Sequence, residues 1–303
     1  MSSKIAFATS SQFPQLTEDD RLAVEALEGK GTEVEPALWD DPNIDWQPFS
    51  DVVIRSCWDY HLRSKEFSAW LDRLDKGGVH VLNPTWILRW NMDKRYLKDL
   101  KLGEGPCKQG TGPGLLILPS VWLPRGAQVN LRQLLEEKGW QHAVIKPVIS
   151  AAANQTSYVS AENAEGHQAE FNRLVQGASV IVQEFAGEIQ TKGEWSFIFF
   201  GKKYSHAVLK QPQSGDFRVQ RDFGGTAKAA QPSQDMIRQA ERYVEAMDSD
   251  LLYARVDAIE RDGRLMLMEL ELIEPYLFFE LNADAPARFA NVLGDYMMKK
   301  ESR

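Results

Sequence analysis

Two cysteines, Cys57 and Cys107, are all that 303 residues contain, too few for a disulfide framework or a thiolate zinc site. Basic residues are also in the minority: 35 Lys and Arg stand against 43 Asp and Glu, a formal net charge of −8. That balance offers no electrostatic footprint for nucleic acid or an anionic membrane surface. No apolar run approaches membrane-spanning length, and the N-terminus has no signal-peptide pattern. No internal repeat or low-complexity segment is present. What remains is an ordinary globular composition, 43% hydrophobic and 26% charged, long enough for two or three lobes with real cores. Reduced thiols and the missing leader lead to the expectation of a cytoplasmic protein.

The first ~85 residues alternate short apolar runs with helical stretches, the pattern of an open parallel sheet. Strands are expected at residues 4–9, 32–39, 51–55 and 79–82, with helices at 19–30 and 66–75. Such sheets carry function at the carboxyl ends of their strands, where Arg55, Trp58 and Asp59 fall. No Gly-x-Gly-x-x-Gly follows the first strand, which excludes a standard dinucleotide site. Helices are further expected at 83–100, 129–138, 164–176, 234–246 and 285–299. Extended segments are expected at 115–122, 143–147, 156–160 and 180–185, with a hairpin over 193–210. Residues 211–225 read as a long polar loop.

The stretch from Tyr253 to Pro275 is the densest in chemistry. Two apolar runs flank Arg261-Asp262-Gly263, a hairpin signal. A three-residue loop pairs Asp257 with Leu267, Arg255 with Glu269 and Tyr253 with Glu271. Arg255, Asp257, Glu269 and Glu271 then share one face, and Met266, Met268, Leu270 and Leu272 the other. An even loop slips the register by one and scatters the acids. Clustered carboxylates require a cation or a shared proton, and magnesium is the natural ion. The residues alone leave two readings open, a metal site or a solvated face with an Arg–Glu pair. Lys146 raises the same choice. On an apolar strand it either meets a ligand anion, beside the small-residue loop 150–154, or snorkels to water.

The ordered set Met92-Asp93-Lys94, Val144-Ile145-Lys146-Pro147, Val182-Gln183-Glu184-Phe185, Gly193-Glu194, Arg255-Val256-Asp257 and Glu269-Leu270-Glu271 resembles the ATP-grasp enzymes. It is similar to the branch of glutathione synthetase, D-alanine–D-alanine ligase and the ribosomal-protein glutamate ligases. A narrower likeness rests on Arg55-Ser56-Cys57-Trp58-Asp59-Tyr60-His61, on 205–210, on 215–220 and on Glu271-Leu272-Ile273-Glu274-Pro275. These look like the sub-branch of the O-ureido-D-serine cyclo-ligase of cycloserine biosynthesis.

The resemblance implies an α/β architecture with α+β lobes. A pre-ATP-grasp parallel-sheet domain (residues 1–90) would precede an ATP-grasp domain (91–303), itself a lid lobe (115–190) and a C-terminal antiparallel-sheet lobe (191–303). It implies a carboxylate–amine ligase using ATP and magnesium, or manganese in its place, on an amino-acid-like small molecule, through an acyl-phosphate. Lys94 and Lys146 would hold the ATP phosphates. Gln183, Glu184 and Phe185 would read adenine, largely by backbone groups, and Glu194 the ribose. Asp257, Glu269 and Glu271 would bind the metal, although most relatives have asparagine where Glu271 stands. Arg255, Lys210 and Arg218 would serve catalysis, and Arg55, Trp58, Asp59, Tyr60 and His206 would face the substrate. Ring closure within one molecule, phosphoryl transfer to a hydroxyl and a non-catalytic nucleotide-binding module are the alternatives. Relatives that form dimers or tetramers make a homo-oligomer an expectation as well.

Overall fold

Near-continuous apolar runs form the first sheet: β1 (Lys4–Thr9), β2 (Glu33–Leu38), β3 (Asp51–Ile54) and β4 (Val81–Leu82), all parallel, in the order β2-β1-β3-β4. Strands buried on both faces need no polar alternation, and Ile5 to Ala8 and Val52 to Ile54 are fully buried. The structure, a computed structural model, describes residues 4–111, 114–151, 153–213, 218–219 and 224–301. Helix α1 (Glu18–Glu28) starts at Thr17, whose hydroxyl accepts from the Asp20 N–H, and its first turn is acidic. Helix α2 (Ser64–Lys76) buries Phe67, Trp70, Leu71 and Leu74, a one-sided stripe, against Trp39.

The sequence predicts one helix over residues 83–100. The structure has two, α3 (Thr85–Asn91) and α4 (Tyr96–Leu102). The break is tertiary in origin, because the Lys94 N–H donates to the Val148 carbonyl at 2.8 Å. Two small antiparallel lobes follow. The first is β5 (Ser120–Leu123), β6 (His142–Pro147), β7 (Ser157–Ser160) and β8 (Val180–Glu184), ordered β5-β8-β6-β7. Helices α5 (Leu131–Lys138) and α6 (Ala164–Gly177) cover one face, with Leu131, Leu135, Phe171 and Val175 packed on Ile145, Val180 and Val182. Strand alternation turns Val144 and Lys146 the other way.

After the short helix α7 (Glu188–Thr191), β9 (Glu194–Phe200), β10 (Lys203–Gln211), β11 (Thr226–Ala230), β12 (Tyr253–Arg261) and β13 (Arg264–Glu271) form an antiparallel sheet, β11-β10-β9-β12-β13. Its two faces join different cores. Phe197, Phe199, Ala254 and Val256 pack with Tyr243 and Val244 of α8 (Gln234–Glu245). Ile198, Phe200 and Tyr253 pack with Phe289 of α9 (Ala285–Glu301) and Phe7 of the first sheet. Among the described residues no helix is long and apolar enough to cross a membrane.

Candidate active site

The second face of this large sheet changes character along its strands. One end is apolar, with Tyr253 paired to Phe200. Toward the other end Arg255 pairs with Ile198 and Asp257 with Ser196, while Lys210 lies opposite Glu194. Charge replaces hydrocarbon on one continuous surface.

The hairpin that supplies the acids is built differently from the expectation. Its loop has two residues, Asp262 and Gly263, flanked by the pair Arg261 and Arg264. Both loop residues have positive φ, 52° and 75°, as a two-residue hairpin turn of the right twist requires. An even loop by itself would separate Asp257 from Glu269. A β-bulge corrects it: Ala258 pairs with Leu267 but Asp257 with Glu269, leaving Met268 extra. Arg255 then lies opposite Glu271. The acids share a face, but the bulge brings this about, not an odd loop. The apolar row divides as well. Leu270 and Leu272 enter the core, while Met268 lines the cavity.

Glu194 owes its place to Gly193. At φ 87° a Cβ there would stand 2.7 Å from the Lys210 carbonyl oxygen, so only glycine lets the strand start this close. Lys210 Nζ pairs with Glu194 and lies 3.4 Å from Asp257. Asp257 also accepts from Ser196 Oγ and, at 2.8 Å, from Arg255 Nη2. The same Nη2 donates to Glu271. Burial works against the Asp257 charge, but Arg255 and Lys210 outweigh it and bring its pKa down to about 2. Burial likewise opposes the Lys210 charge, yet Asp257 and Glu194 hold its pKa above the ordinary value. Glu271 fares otherwise. Burial, with Asp257 and Glu269 nearby, outweighs a guanidinium already shared and pushes it up to about 7.

Two lysines face this floor from other elements. Lys94, in the break between α3 and α4, donates to the Ser150 carbonyl at 2.6 Å and meets Glu269 at 2.7 Å. Burial raises the Glu269 pKa, but Lys94 and Lys146 pull it below the usual value. Lys146 is half-buried on β6 and lines the cavity, and among the described residues it has no hydrogen bond or ion pair. Burial lowers its pKa.

Between this floor and the β5–β8 lobe lies a cavity of about 260 Å³. Its apolar end is walled by Leu118, Val144, Phe185, Ile189 and Met268. Gln183 and Glu184 line it too, with Gln183 Nε2 donating to Ser120 Oγ at 3.1 Å and Glu184 held by Arg261. The N–H groups of Glu184 and Phe185 are used by the carbonyls of Pro119 and His142. The first N–H of this stretch beyond those bonds belongs to Ala186, also a lining residue. Trp58, Tyr60, Glu274, Tyr276 and Arg218 line it as well, with the Trp58 and Tyr276 rings 6.1 Å apart between centroids.

Twelve of the seventeen expected site residues line this cavity; Arg55, Asp59, His206, Lys210 and Asp257 do not. Asp257 and Lys210 form the layer beneath it. Arg55 is 2% exposed and donates to Asp20 at 2.8 Å and to the Pro275 carbonyl at 2.9 Å, with its guanidinium 5.2 Å from the Tyr253 ring. Asp59 accepts from the Trp39 indole at 3.0 Å and lies 3.7 Å from Arg63. His206 Nε2 bonds the Leu277 carbonyl at 2.9 Å, and burial lowers its pKa to about 4. These three side chains hold the fold, because their partners are groups of the chain itself. Of the motif at 215–220, only Arg218 and Val219 lie within the described residues. Sequence reasoning quoted Glu274 only as part of the motif at 271–275, with no role of its own, and did not name Tyr276. A further signal was an acid and a phenol inside the apolar run Leu272 to Phe279.

Among the described residues no three acidic, histidine or cysteine groups converge as a closed metal cage would need. Magnesium does not ask for one: it takes one or two carboxylates and completes its shell with phosphate oxygens and water. Asp257 and Glu269, facing each other across a strand pair, fit that demand with the right donor chemistry.

Residues 5–83 match the family model of the N-terminal domain of the D-cycloserine synthetase DcsG. The cycloserine biosynthesis protein DcsG of Streptomyces lavendulae is 30% identical over 288 residues, 90% of this chain and 91% of that protein. The crystal structure of D-cycloserine synthetase DcsG superposes with a TM-score of 0.86 at 27% identity, over 97% of this chain and all of that one. D-alanine–D-alanine ligase of Bacillus anthracis shares the fold, with a TM-score of 0.69 at 14% identity and full coverage of both chains.

Proposed function

Since the chain belongs to the DcsG family, the cycloserine-ligase branch of the ATP-grasp carboxylate–amine ligases, we propose that the cavity over the Asp257–Glu269 floor is where ATP activates the carboxylate of an amino-acid-like substrate. The enzyme is an ATP- and magnesium-dependent ligase. The observation that carries it is Lys146, a cleft-facing cation that among the described residues has no hydrogen bond or ion pair, opposite a floor of paired carboxylates. A half-buried cation with no partner among the described residues calls for an anion, and polyphosphate fits both the charge and the room.

In this reading the adenine lies among Leu118, Val144, Phe185 and Met268, met by Ala186 and the carbonyls beside it. Glu194 takes the ribose hydroxyls. Lys94 and Lys146 hold the phosphates from the two lobes. Asp257 and Glu269, with Glu271 beside them, would hold magnesium, which would neutralise phosphate charge. The substrate carboxylate attacks the γ-phosphorus, ADP leaves, and an acyl-phosphate forms. An amine nitrogen then attacks the acyl carbon and phosphate leaves. Arg255 and Arg218 stabilise the developing oxyanion, while Lys210 fixes Glu194 and Asp257 from below. Residues 115–190 act as a lid that excludes water from the acyl-phosphate, beside a pre-ATP-grasp domain of residues 1–90. Because DcsG is a cycloserine synthetase, a second reading places carboxylate and nitrogen in one molecule, so that ligation closes a ring.

The test is a phosphate-release screen of single amino acids and pairs, with hydroxylamine to trap the acyl-phosphate and mass spectrometry of the product. Trapping separates a ligase from a kinase, and product mass separates ring closure from joining. Lys146→Ala is expected to lose nucleotide binding, and Asp257→Asn to lose magnesium-dependent turnover. Native ADP release by both variants would sink the assignment.

A further inference from the structure

Four side chains from three segments, the loop after β3, β10 and β12, converge on four consecutive carbonyls. The Trp58 indole N–H donates to the Glu274 carbonyl at 3.0 Å and Arg55 to that of Pro275 at 2.9 Å. Arg255 Nη1 donates to the Tyr276 carbonyl at 3.1 Å, and His206 Nε2 to that of Leu277 at 2.9 Å. The segment is neither helix nor strand, so its carbonyls depend on side chains for partners. An irregular segment clamped at every residue is rigid, and rigidity of this kind serves to aim side chains.

Glu274 is the acid so aimed. It lines the cavity and is 9% exposed, and among the described residues its carboxyl meets no hydrogen-bond donor and no basic group within ion-pair distance. A buried carboxyl without a partner is costly. It is retained where a ligand supplies the missing donor. The rings beside it narrow the ligand's chemistry. Trp58 and Tyr276 lie 6.1 Å apart between centroids, and both line the cavity. Aromatic faces beside a carboxylate favour a cation. Arg255 and Arg218, within the same cavity, suit the substrate's carboxyl.

We infer that Glu274 is a specificity-determining residue that binds the α-ammonium group of the substrate, so that the enzyme selects an α-amino acid over the same acid without its amine. This rests on the ligase reading of the cavity and adds the group that recognises the substrate.

The probes are O-ureido-D-serine, alanine and serine of both hands, and the matching carboxylic acids without the amine. Phosphate release is followed in the wild type, Glu274→Gln and Glu274→Asp, with thermal melts to confirm folding. Wild type is expected to use at least one amino acid and to lose 10-fold or more in kcat/KM with its amine-free counterpart. Glu274→Gln is expected to raise KM for that amino acid at least 10-fold, leave KM for ATP within 2-fold, and erase the preference for the amine. Glu274→Asp is expected to recover part of it. A preference that survives in Glu274→Gln overturns the inference, as does equal loss with both probes. So does a wild type that takes amine-free acids as well as amino acids, or takes none of the amino acids. Calorimetry with magnesium and a non-hydrolysable ATP analogue reports on the ligase reading alone: binding there with any of those failures leaves the ATP site standing and removes only the role of Glu274.

Discussion

Arg55–Asp20 and Arg255–Asp257 are both buried arginine–aspartate pairs at 2.8 Å, yet one holds the fold together and the other forms the floor of the site. Around Asp20 every bond is internal and single-purpose. Its carboxylate accepts from Arg55, Ser56 and Thr17, and Arg55 also meets Pro275 and Tyr253, while its Nη1 is buried with no hydrogen-bond partner among the described residues. Around Asp257 each base serves two acids. Arg255 answers Asp257 and Glu271, and Lys210 answers Asp257 and Glu194. The first arrangement is closed in charge. The second has more acid than base, which appears as the upward shift of Glu271. A site for a cation and its anionic ligand is marked by this oversubscription, not by burial or by an ion pair as such.

The sharpest way to break the comparison is to remove one acid from each pair. Asp20→Ala leaves Arg55 buried and unpaired, at a cost of roughly 3–5 kcal/mol by the usual penalty for half a buried pair. Urea unfolding is expected to show that loss, while the fraction still folded turns over at the native rate. Asp257→Asn keeps its shape and part of its hydrogen bonding, and is expected to lose ~10³-fold in kcat with a smaller change in stability. A catalytic loss in Asp20→Ala folded protein as large as that of Asp257→Asn would erase the distinction.

Magnesium sharpens it further. Each floor carboxylate already has a base, and among the described residues no three acids converge. The ion alone is therefore expected to bind weakly, in the millimolar range. With an ATP analogue present, affinity is expected to rise about 100-fold or more, because phosphate draws Lys94 and Lys146 and completes the metal shell. Calorimetry with and without the analogue measures it, and equal affinities would mean a preformed cage.

His206 belongs to the closed side. Burial lowers its pKa to about 4, from an ordinary value near 6.5. Between those values the unfolded chain binds the proton and the folded chain does not. Stability therefore falls as pH drops from about 6.5 to 4, by at most about 3 kcal/mol. Denaturant titrations at pH 7, 5.5 and 4.5 check the slope. His206→Gln, which can still donate to Leu277, is expected to flatten it.

Much of this was legible in the residues. The parallel sheet announces itself in unbroken apolar strands, and the acids of the hairpin in their alternation. What was hidden depends on distant partners. The bulge at Met268 leaves the Met-Glu-Leu-Glu alternation unchanged, so the sequence favoured an odd loop where the chain uses an even one and an extra residue. The helix break at Lys94 comes from the Val148 carbonyl. Strand β11 is a mostly exposed edge of Thr, Ala and Lys, with little β-forming character. Arg55 looked like a substrate contact from its place at a strand end and from its motif, and His206 from the motif at 205–210 alone. Their actual partners, Pro275 and Leu277, lie 220 and 71 residues away in the chain.

The finest contrast lies in two adjacent residues of α1. Asp20 has Arg55; Asp19 has another acid. Asp19 Oδ1 accepts the Glu280 N–H at 3.0 Å, while Oδ2 is buried without a donor. Burial first, and then the Glu280 carboxyl, push the Asp19 pKa up to about 9. A proton held on Asp19 supplies the donor that Oδ2 otherwise lacks. Folding therefore takes up that proton between pH 4 and 9, and stability falls as pH rises through the window. Asp19→Asn keeps the acceptor for the Glu280 N–H and puts a permanent amide donor where the proton sat. The variant is expected to gain about 1 kcal/mol at pH 8 and little at pH 4.5, by urea unfolding at both. An equal gain at the two pH values would mean that Asp19 is ionised in the folded protein, and that both aspartates of this turn find their compensation in Arg55.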